Sequence, residues 1–409
     1  MSPPDLPPAP WWKARPALLR FVADLVAAEL AALRHDPLLL PDGWTEALSL
    51  EHELGMDSLE LLHVAGRLSS ALQMHRSGID DYLLSRRTLG DWVDVATAAL
   101  EHWSGELTFS TSGSTGQPKH CSHPLEALEQ EAQALAALFA GRRRLLVAVP
   151  SHHIYGFLLT QLLPRHLALA PAQVVGIRAR LPGQLALHAA AGDLVIGYPQ
   201  FWQAAVSAGH RFPADVAGLS STAPCPDQVS EAAAACGLAA LFQLYGSSET
   251  AGLGWRASHR DDYRLLPHLA RDPLQDDTVV RTLPDGRLEA LQAQDGLDWR
   301  SATTFSVGPR RDGAVQVGGV NVFPALVRAA LLEHPEVADA AVRLMRPDEG
   351  MRLKAYIVPH AGSADATLAA RLRDWIDARL APAERPKALT LGTQVPQGAM
   401  GKPGDWSIR

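Results

Sequence analysis

Two short strings carry residue types that could do chemistry. Ser110-Thr111-Ser112-Gly113-Ser114-Thr115-Gly116-Gln117-Pro118-Lys119 gathers five hydroxyls, two glycines and a lysine in ten residues. Glycines let main-chain N–H groups converge on one anion, and hydroxyls add further donors. Lys119 adds a compact positive charge suited to phosphate. A flexible linker needs no such ordered string after a strand, and the Walker pattern G-x-x-x-x-G-K-[ST] is absent. The chemistry is therefore nucleotide phosphate binding by another kind of loop. The second string, Leu54-Gly55-Met56-Asp57-Ser58-Leu59-Glu60-Leu61-Leu62, places Asp57 as an N-cap and Ser58 at the exposed start of a helix. Helix N-terminal amides favour a phosphodiester there. On the string alone, a plain cap and a modified serine both remain open.

These strings need elements to position them. Arg15–Leu33 reads as a helix with Pro16 in its first turn and Leu18, Leu19, Val22, Leu25, Val26, Leu30 and Leu33 as its apolar stripe. A second helix starts at Asp57, with Leu61, Leu62, Ala65, Leu68, Ser69 and Leu72 on one face. A short helix over Ile79–Leu84 and another over Thr88–Trp103 complete a four-helix bundle spanning 15–104. Residues 1–14 read as a disordered Pro-rich tail. From Leu107 apolar runs alternate with helical stretches. Leu107–Phe109, Leu145–Val149, Leu194–Ile196 and Leu241–Leu244 read as strands, with helices at Leu125–Ala140 and Asp227–Ala235 between them. That alternation predicts an α/β core with parallel strands over 105–311. A small α+β domain over 312–409 follows.

Composition narrows the class. The 409 residues are 47% hydrophobic and 20% charged, as in an ordinary globular chain. Between Arg15 and Trp103 fourteen Asp/Glu face seven Arg, a balance of −7 that equals the net charge of the whole chain. So acidic a segment argues against nucleic-acid partners. Leu145–Pro164 carries no formal charge, but Pro150-Ser151-His152-His153 interrupts it, which favours a buried strand and loop over a membrane span. Cys121, Cys225 and Cys236 lack metal or disulfide spacing, which fits a reducing cytoplasm. No H-x-x-x-H signature is present, so no structural zinc is expected.

Seven segments in order resemble the adenylate-forming superfamily, which includes acyl- and aryl-CoA synthetases, luciferases and peptide-synthetase adenylation domains. They are the Thr111–Lys119 loop, Val149–Phe157 (VPSHHIYGF), Gly197–Val206, Ser220–Pro226 (SSTAPCP), Leu244–Thr250 (LYGSSET), Arg310–Pro324 and Gly398–Trp406. The resemblance covers about Leu107 to Arg409. It implies ATP-dependent activation of a carboxylic acid to an acyl-adenylate, then transfer to a thiol. On that reading Thr111, Ser112, Gly113, Ser114, Thr115, Gly116 and Lys119 hold the ATP phosphates. Thr222, Ala223, Tyr245 and Gly246 line the adenine side, and Arg310 reaches the ribose. Ser248 contacts the α-phosphate, Glu249 holds Mg²⁺, and Lys402 bridges substrate carboxylate and α-phosphate. Asp312 is the hinge. His153, Tyr155, Ser221 and Gly246 face the acid.

The bundle resembles acyl carrier proteins, which makes Ser58 the candidate for a phosphopantetheine arm. The His153-Ile154-Tyr155 string resembles that of aryl-acid ligases and implies a small aromatic acid of the hydroxybenzoate type (3-hydroxybenzoate among them). Compact carrier-linked ligases of aryl-polyene pigment synthesis, the xanthomonadin type, are similar. The expected acceptor is a carrier-protein thiol, in cis or on a separate acyl carrier protein. The alternatives are a ligase using free CoA with the bundle as scaffold, and a non-catalytic docking protein. Three departures from the family pattern stand out. Thr303 is the nearest match to its ribose-binding aspartate, Pro309 replaces a glycine, and the usual N-terminal subdomain ahead of the loop is missing.

Overall fold

The structure, a computed structural model, describes residues 9–34, 43–112, 118–318, 320–363, 367–396 and 404–408. The chain forms two compact units, Met1–Thr111 with His120–Gly308 and Ser112–Lys119 with Pro309–Arg409.

In the first unit the N-terminal segment contains α1 (Arg15–Arg34), α2 (Ser58–Leu72) and α3 (Leu89–His102), with a 3₁₀ turn at Asp80–Ser85. The turn occupies the place of the expected third helix. Two capping boxes start α2 and α3. The Asp57 carboxylate accepts from the Leu59 and Glu60 N–H groups at 2.9 and 2.8 Å, and Thr88 with Asp91 does the same for α3. The stripe on α1 is buried at Leu18, Val22, Leu25, Val26 and Leu30, but Leu33 sits at the end of the helix and is exposed. On α2, Leu61 and not Leu62 faces inward; Leu62 is 56% exposed.

The expected tail ends earlier than residue 14. Trp11 is fully buried in a 3₁₀ turn, Trp11–Lys13, and its ring meets Phe157 edge-on at 5.0 Å. A large indole gains too much by leaving water to remain free when such a partner is near. Phe21 of α1 and Phe109 also pack on Phe157, at 5.9 and 5.6 Å. One hydrophobic core thus joins Leu18, Val64 and Trp92 of the helices to Leu128, Phe157 and Leu162 of the α/β core.

The core begins with a hairpin, β1 (Glu106–Ser112) and β2 (Pro118–Pro124), and then α4 (Leu125–Leu138). The strands that follow are β3 (Arg144–Val147), β4 (Val174–Gly176), β5 (Asp193–Gly197), β6 (Ala217–Ser220), β7 (Ala240–Ser247), β8 (Ala251–Arg256) and β9 (Tyr263–Leu265). Next come β10 (Leu269–Arg271), β11 (Thr278–Thr282), β12 (Leu288–Gln292), β13 (Asp295–Trp299) and β14 (Thr304–Arg310). Among the described residues a nine-stranded sheet runs β13-β14-β9-β8-β7-β6-β5-β3-β4, and β10-β11-β12 form a smaller one. The pairings β4-β3-β5-β6-β7 are parallel, as expected. The pairings from β7 to β9 are antiparallel, because short connections there permit only hairpins, and β9 with β14 is antiparallel too. Side-chain alternation covers both faces of the parallel half. Leu145, Val147, Leu194 and Ile196 point into one core, and Leu146 and Val195 into another beneath the helices Pro199–Ser207 and Asp227–Ala235.

In the second unit β15 (Val315–Val317) pairs with β16 (Val320–Val322), and the helix Pro324–Leu332 follows. β17 (Val337–Leu344), β18 (Leu353–Pro359) and β19 (Ala388–Leu391) form a three-stranded sheet packed on the helix Leu368–Arg379. This is the expected α+β arrangement.

Candidate active site

Strand order locates the site. β3 has β4 on one side and β5 on the other, so the chain reverses its direction of growth at β3. In open parallel sheets such a reversal leaves a crevice beyond the carboxyl ends of the strands. The segments leaving β3, β5 and β6 carry Ser151–Tyr155, Tyr198 and Ser221–Ala223, and the last residues of β7 with the turn after it carry Tyr245–Glu249.

Side chains tie these strand ends together. The Tyr155 hydroxyl, buried, donates to the Gly197 carbonyl at 3.1 Å and lies 3.4 Å from that of Leu219. Burial raises its pKa well above the usual phenol range, so Tyr155 stays a neutral donor. The Ser221 hydroxyl donates to the Leu244 carbonyl at 2.8 Å. Tyr155 and Ser221 are therefore committed, through their hydroxyls, to holding the crevice in shape. His153 is open to solvent, yet burial depresses its imidazole pKa. The His152 ring lies 4.1 Å from it, and the buried His152 Nδ1 has no partner among the described residues. Burial lowers the His152 pKa well below its ordinary value, so both rings are neutral at ordinary pH.

Two non-glycine residues with left-handed backbone lie just beyond the carboxyl ends of β6 and β7: Thr222 at φ 76° and Ala251 at φ 58°. Such conformations persist only where the surroundings over-determine them, and they gather at functional sites. Gly246 approaches the same turn so closely that a Cβ there would lie 2.1 Å from the Ala251 carbonyl oxygen. Only glycine fits at that point. Tyr245 donates its hydroxyl to Asp295 at 2.8 Å and presents a half-buried ring beside Gly246. Thr222 is exposed, and Ala223 is half-buried. Ser248 and Glu249 are half-buried at the end of β7. A single carboxylate suits Mg²⁺, which keeps several waters and takes its remaining oxygens from substrate phosphates. The first unit thus brings His153, Tyr155, Ser221, Thr222, Ala223, Tyr245, Gly246, Ser248 and Glu249 to one edge of one sheet.

In the second unit Arg310 is clasped by Asp312, its Nε donating at 2.9 Å. The same contact holds the Asp312 carboxyl below the usual range. Ribose-binding candidate and hinge candidate are therefore partners across a turn. Lys119 is exposed, whereas the side chains of Thr111 and Ser112 and all of Gly113, Ser114, Thr115, Gly116 and Lys402 lie outside the described residues. The tail just beyond Lys402 is held by Lys354, which is fully buried. Its Nζ donates to the Trp406 carbonyl at 2.6 Å, to Asp405 at 2.8 Å and to Glu349 at 2.9 Å. Thr303, nearest to the family's aspartate, is exposed and donates its N–H to the Ser301 hydroxyl.

Among the described residues, buried charges that the sequence reading missed include Asp24, Glu131, Arg281 and Lys354. Asp24 interrupts the apolar run Phe21–Val26 on α1. Glu131 sits between Leu128 and Leu135 on the apolar face of α4, and Arg281 shares a strand face with Val279. Lys354 occupies the apolar strand Leu353–Pro359. A charge at an apolar position of the period was the available signal.

The model of the family described as AMP-binding enzyme matches residues 107–282, and that of the AMP-binding enzyme C-terminal domain matches residues 327–402. The chain is 38% identical over 389 residues to a 4-coumarate--CoA ligase of Halorhodospira halophila, covering 94% of this chain and 97% of that one. It is 39% identical over 362 residues to a 4-coumarate--CoA ligase of Cereibacter sphaeroides, covering 87% and 84%. Among solved structures it resembles the o-succinylbenzoate CoA synthetase of Bacillus subtilis, with TM-score 0.57 and 21% identity over 72% of this chain and 67% of that one. That last likeness concerns the fold. The chain belongs to the AMP-binding enzyme family, of the acyl- and aryl-CoA ligase type. It is an ATP-dependent, AMP-forming acid–thiol ligase. Among the described residues no helix is long and apolar enough to cross a membrane.

Proposed function

We propose that the acid is a small aromatic carboxylate and that the acceptor is the thiol of coenzyme A. The observation that carries this is the segment after β3, where the exposed His153 ring and the buried, neutral Tyr155 stand at the switch point of the sheet. Flat, uncharged rings there suit a flat ring better than a long flexible chain. The substrate carboxylate attacks the α-phosphorus of ATP, and pyrophosphate leaves. Ser248 donates to the α-phosphate, and Lys402 carries the positive charge that joins carboxylate and phosphate. Thr111–Lys119 holds the β- and γ-phosphates, Tyr245 and Thr222–Ala223 flank the adenine, and Arg310 takes the ribose on leaving Asp312. Glu249 would hold Mg²⁺, and the ion would supply positive charge to the phosphates. The thiol sulfur then attacks the acyl carbon, and AMP leaves as the C–S bond forms. Rotation about Asp312 separates the two half-reactions.

Two facts favour CoA over a carrier arm in cis. The N-terminal segment shares its core with the α/β unit, so α1 to α3 act as scaffold. Relatives matched over nearly the whole chain bear a CoA-ligase name. The carrier alternative rests on Ser58, which is exposed beside Leu59, itself 74% exposed. Asp57 of the same string serves as the helix cap. The test is thioester formation from ATP, Mg²⁺, CoA and a panel of acids, read by mass spectrometry. 4-Coumarate and hydroxybenzoates should yield CoA thioesters, and Ser58→Ala should retain the rate within about twofold. Activity lost in Ser58→Ala, with a pantetheine adduct on the wild-type chain, would instead establish the carrier route.

A further inference from the structure

We propose that His123, Glu131 and Arg281 are positioning residues that fix the main chain of Ser248–Gly252 and thereby aim Ser248 and Glu249. The inference rests on the assignment of Ser248 and Glu249 to nucleotide and metal.

Three separate elements converge on five residues. His123 of β2 is 3% exposed, and its Nε2–H donates to the Ser248 carbonyl at 2.7 Å. Arg281 of β11, 1% exposed, donates to the Thr250 carbonyl at 2.6 Å and lies 3.3 Å from Glu289. Glu131 of α4, wholly buried, accepts from the Gly252 N–H, its two oxygens at 3.1 and 3.0 Å. A Cβ on Gly252 would lie 2.2 Å from the Glu131 Oε1. The carboxyl group therefore reaches the main chain only because residue 252 is glycine. Inside the turn, Ser247 and Thr250 pair through their hydroxyls at 3.2 Å. Ala251, left-handed at φ 58°, lies between two of the anchored groups.

A buried turn could satisfy its main chain with neutral partners or water. Two ionisable side chains and an imidazole are far more costly to desolvate. What they provide is fixed direction. Ser248 and Thr250 adjoin Glu249 in the chain, and Gly252 follows shortly after. A small shift at any anchor therefore moves the Ser248 hydroxyl and the Glu249 carboxylate together. Catalytic groups displaced by about 1 Å can lose about a hundredfold in rate. Burial lowers the His123 pKa, which keeps its imidazole neutral with one N–H to donate.

The test is calorimetric binding of MgATP to the full chain, with Mg²⁺ titrated, beside thermal melting and the KM for the acid. His123→Ala and Arg281→Lys should each weaken MgATP at least about fivefold and raise the half-saturating Mg²⁺, with the acid KM within about twofold. His123→Gln, whose amide N–H can replace the imidazole donor, should return MgATP affinity to within about twofold of wild type. Variants that melt earlier but keep wild-type MgATP affinity and Mg²⁺ dependence would reduce these residues to structural support and overturn the proposal. Should Arg281→Lys fail to fold, the Ala and Gln pair at His123 decides. A wild-type chain that activates no acid refutes the functional reading instead, and that result is read separately from the variants.

Discussion

Asp24, on the first helix, accepts hydrogen bonds from both the main-chain N–H and the hydroxyl of Ser151, at 2.7 and 2.6 Å. It is 2% exposed, and Arg178 completes its pairing. Ser151 immediately precedes His152 and His153, so a carboxylate of α1 holds the loop that carries both histidines. In this chain α1 therefore supports the loop that follows β3.

Asp24→Ala should therefore act at a distance. Removing one partner of a buried pair strands the other, and the Arg178 side chain is only 15% exposed. The expected loss is about 3–5 kcal/mol of stability by urea unfolding. In the folded fraction the KM for the acid should rise at least about fivefold with the KM for ATP nearly unchanged. Equal changes in both would mean that Asp24 supports the fold without shaping the pocket.

Stability should depend on Glu131 in a defined pH window. Burial, outweighing Arg281 and the Gly252 N–H, pushes its carboxyl from 4.5 up to about 7. Between those values the folded chain holds a proton that the unfolded chain has lost, so this group's contribution falls as pH rises from 4.5 to about 7. His268 acts oppositely. Burial brings its imidazole from 6.5 down to about 4, so its contribution grows as pH rises across that interval. Glu131→Gln removes only the first. Relative to wild type, the variant should gain stability on going from about pH 5 to about pH 8 by something on the order of 3 kcal/mol. Parallel unfolding free energies at the two pH values would contradict this.

Lys354→Met tests the tail. Lys402 lies shortly before Asp405, which Lys354 holds together with the Trp406 carbonyl. Loss of that anchor should speed proteolysis of the C-terminal segment and slow adenylate formation at least about tenfold. MgATP affinity should stay within about threefold. Unchanged adenylation would detach the Lys354 cluster from the chemistry.

How much was legible depended on whether a feature is local. The helix Asp227–Ala235 and the strand Val337–Leu344 fall where periodicity places them, because single-segment patterns decide such elements. Four of the seven expected site segments, those at the ends of β3, β5, β6 and β7, share one sheet edge, since parallel strands deliver their following loops to the same side. Leu62 was misread because period 3.6 leaves flanking positions ambiguous, and packing chose Leu61. Trp11 was misread because proline-rich composition describes the chain around it and not the Phe157 ring it meets. Asp24 and Ser151 could not be paired from sequence at all. They are 127 residues apart, and only the tertiary fold brings them together.

The most direct test of the account is acid-dependent exchange of labelled pyrophosphate into ATP by the full chain. Aromatic acids such as 4-coumarate should drive exchange well above background while long-chain fatty acids do not. Lys402→Ala should abolish exchange while still binding MgATP. Exchange with no acid of the panel, or full exchange in Lys402→Ala, would contradict the account.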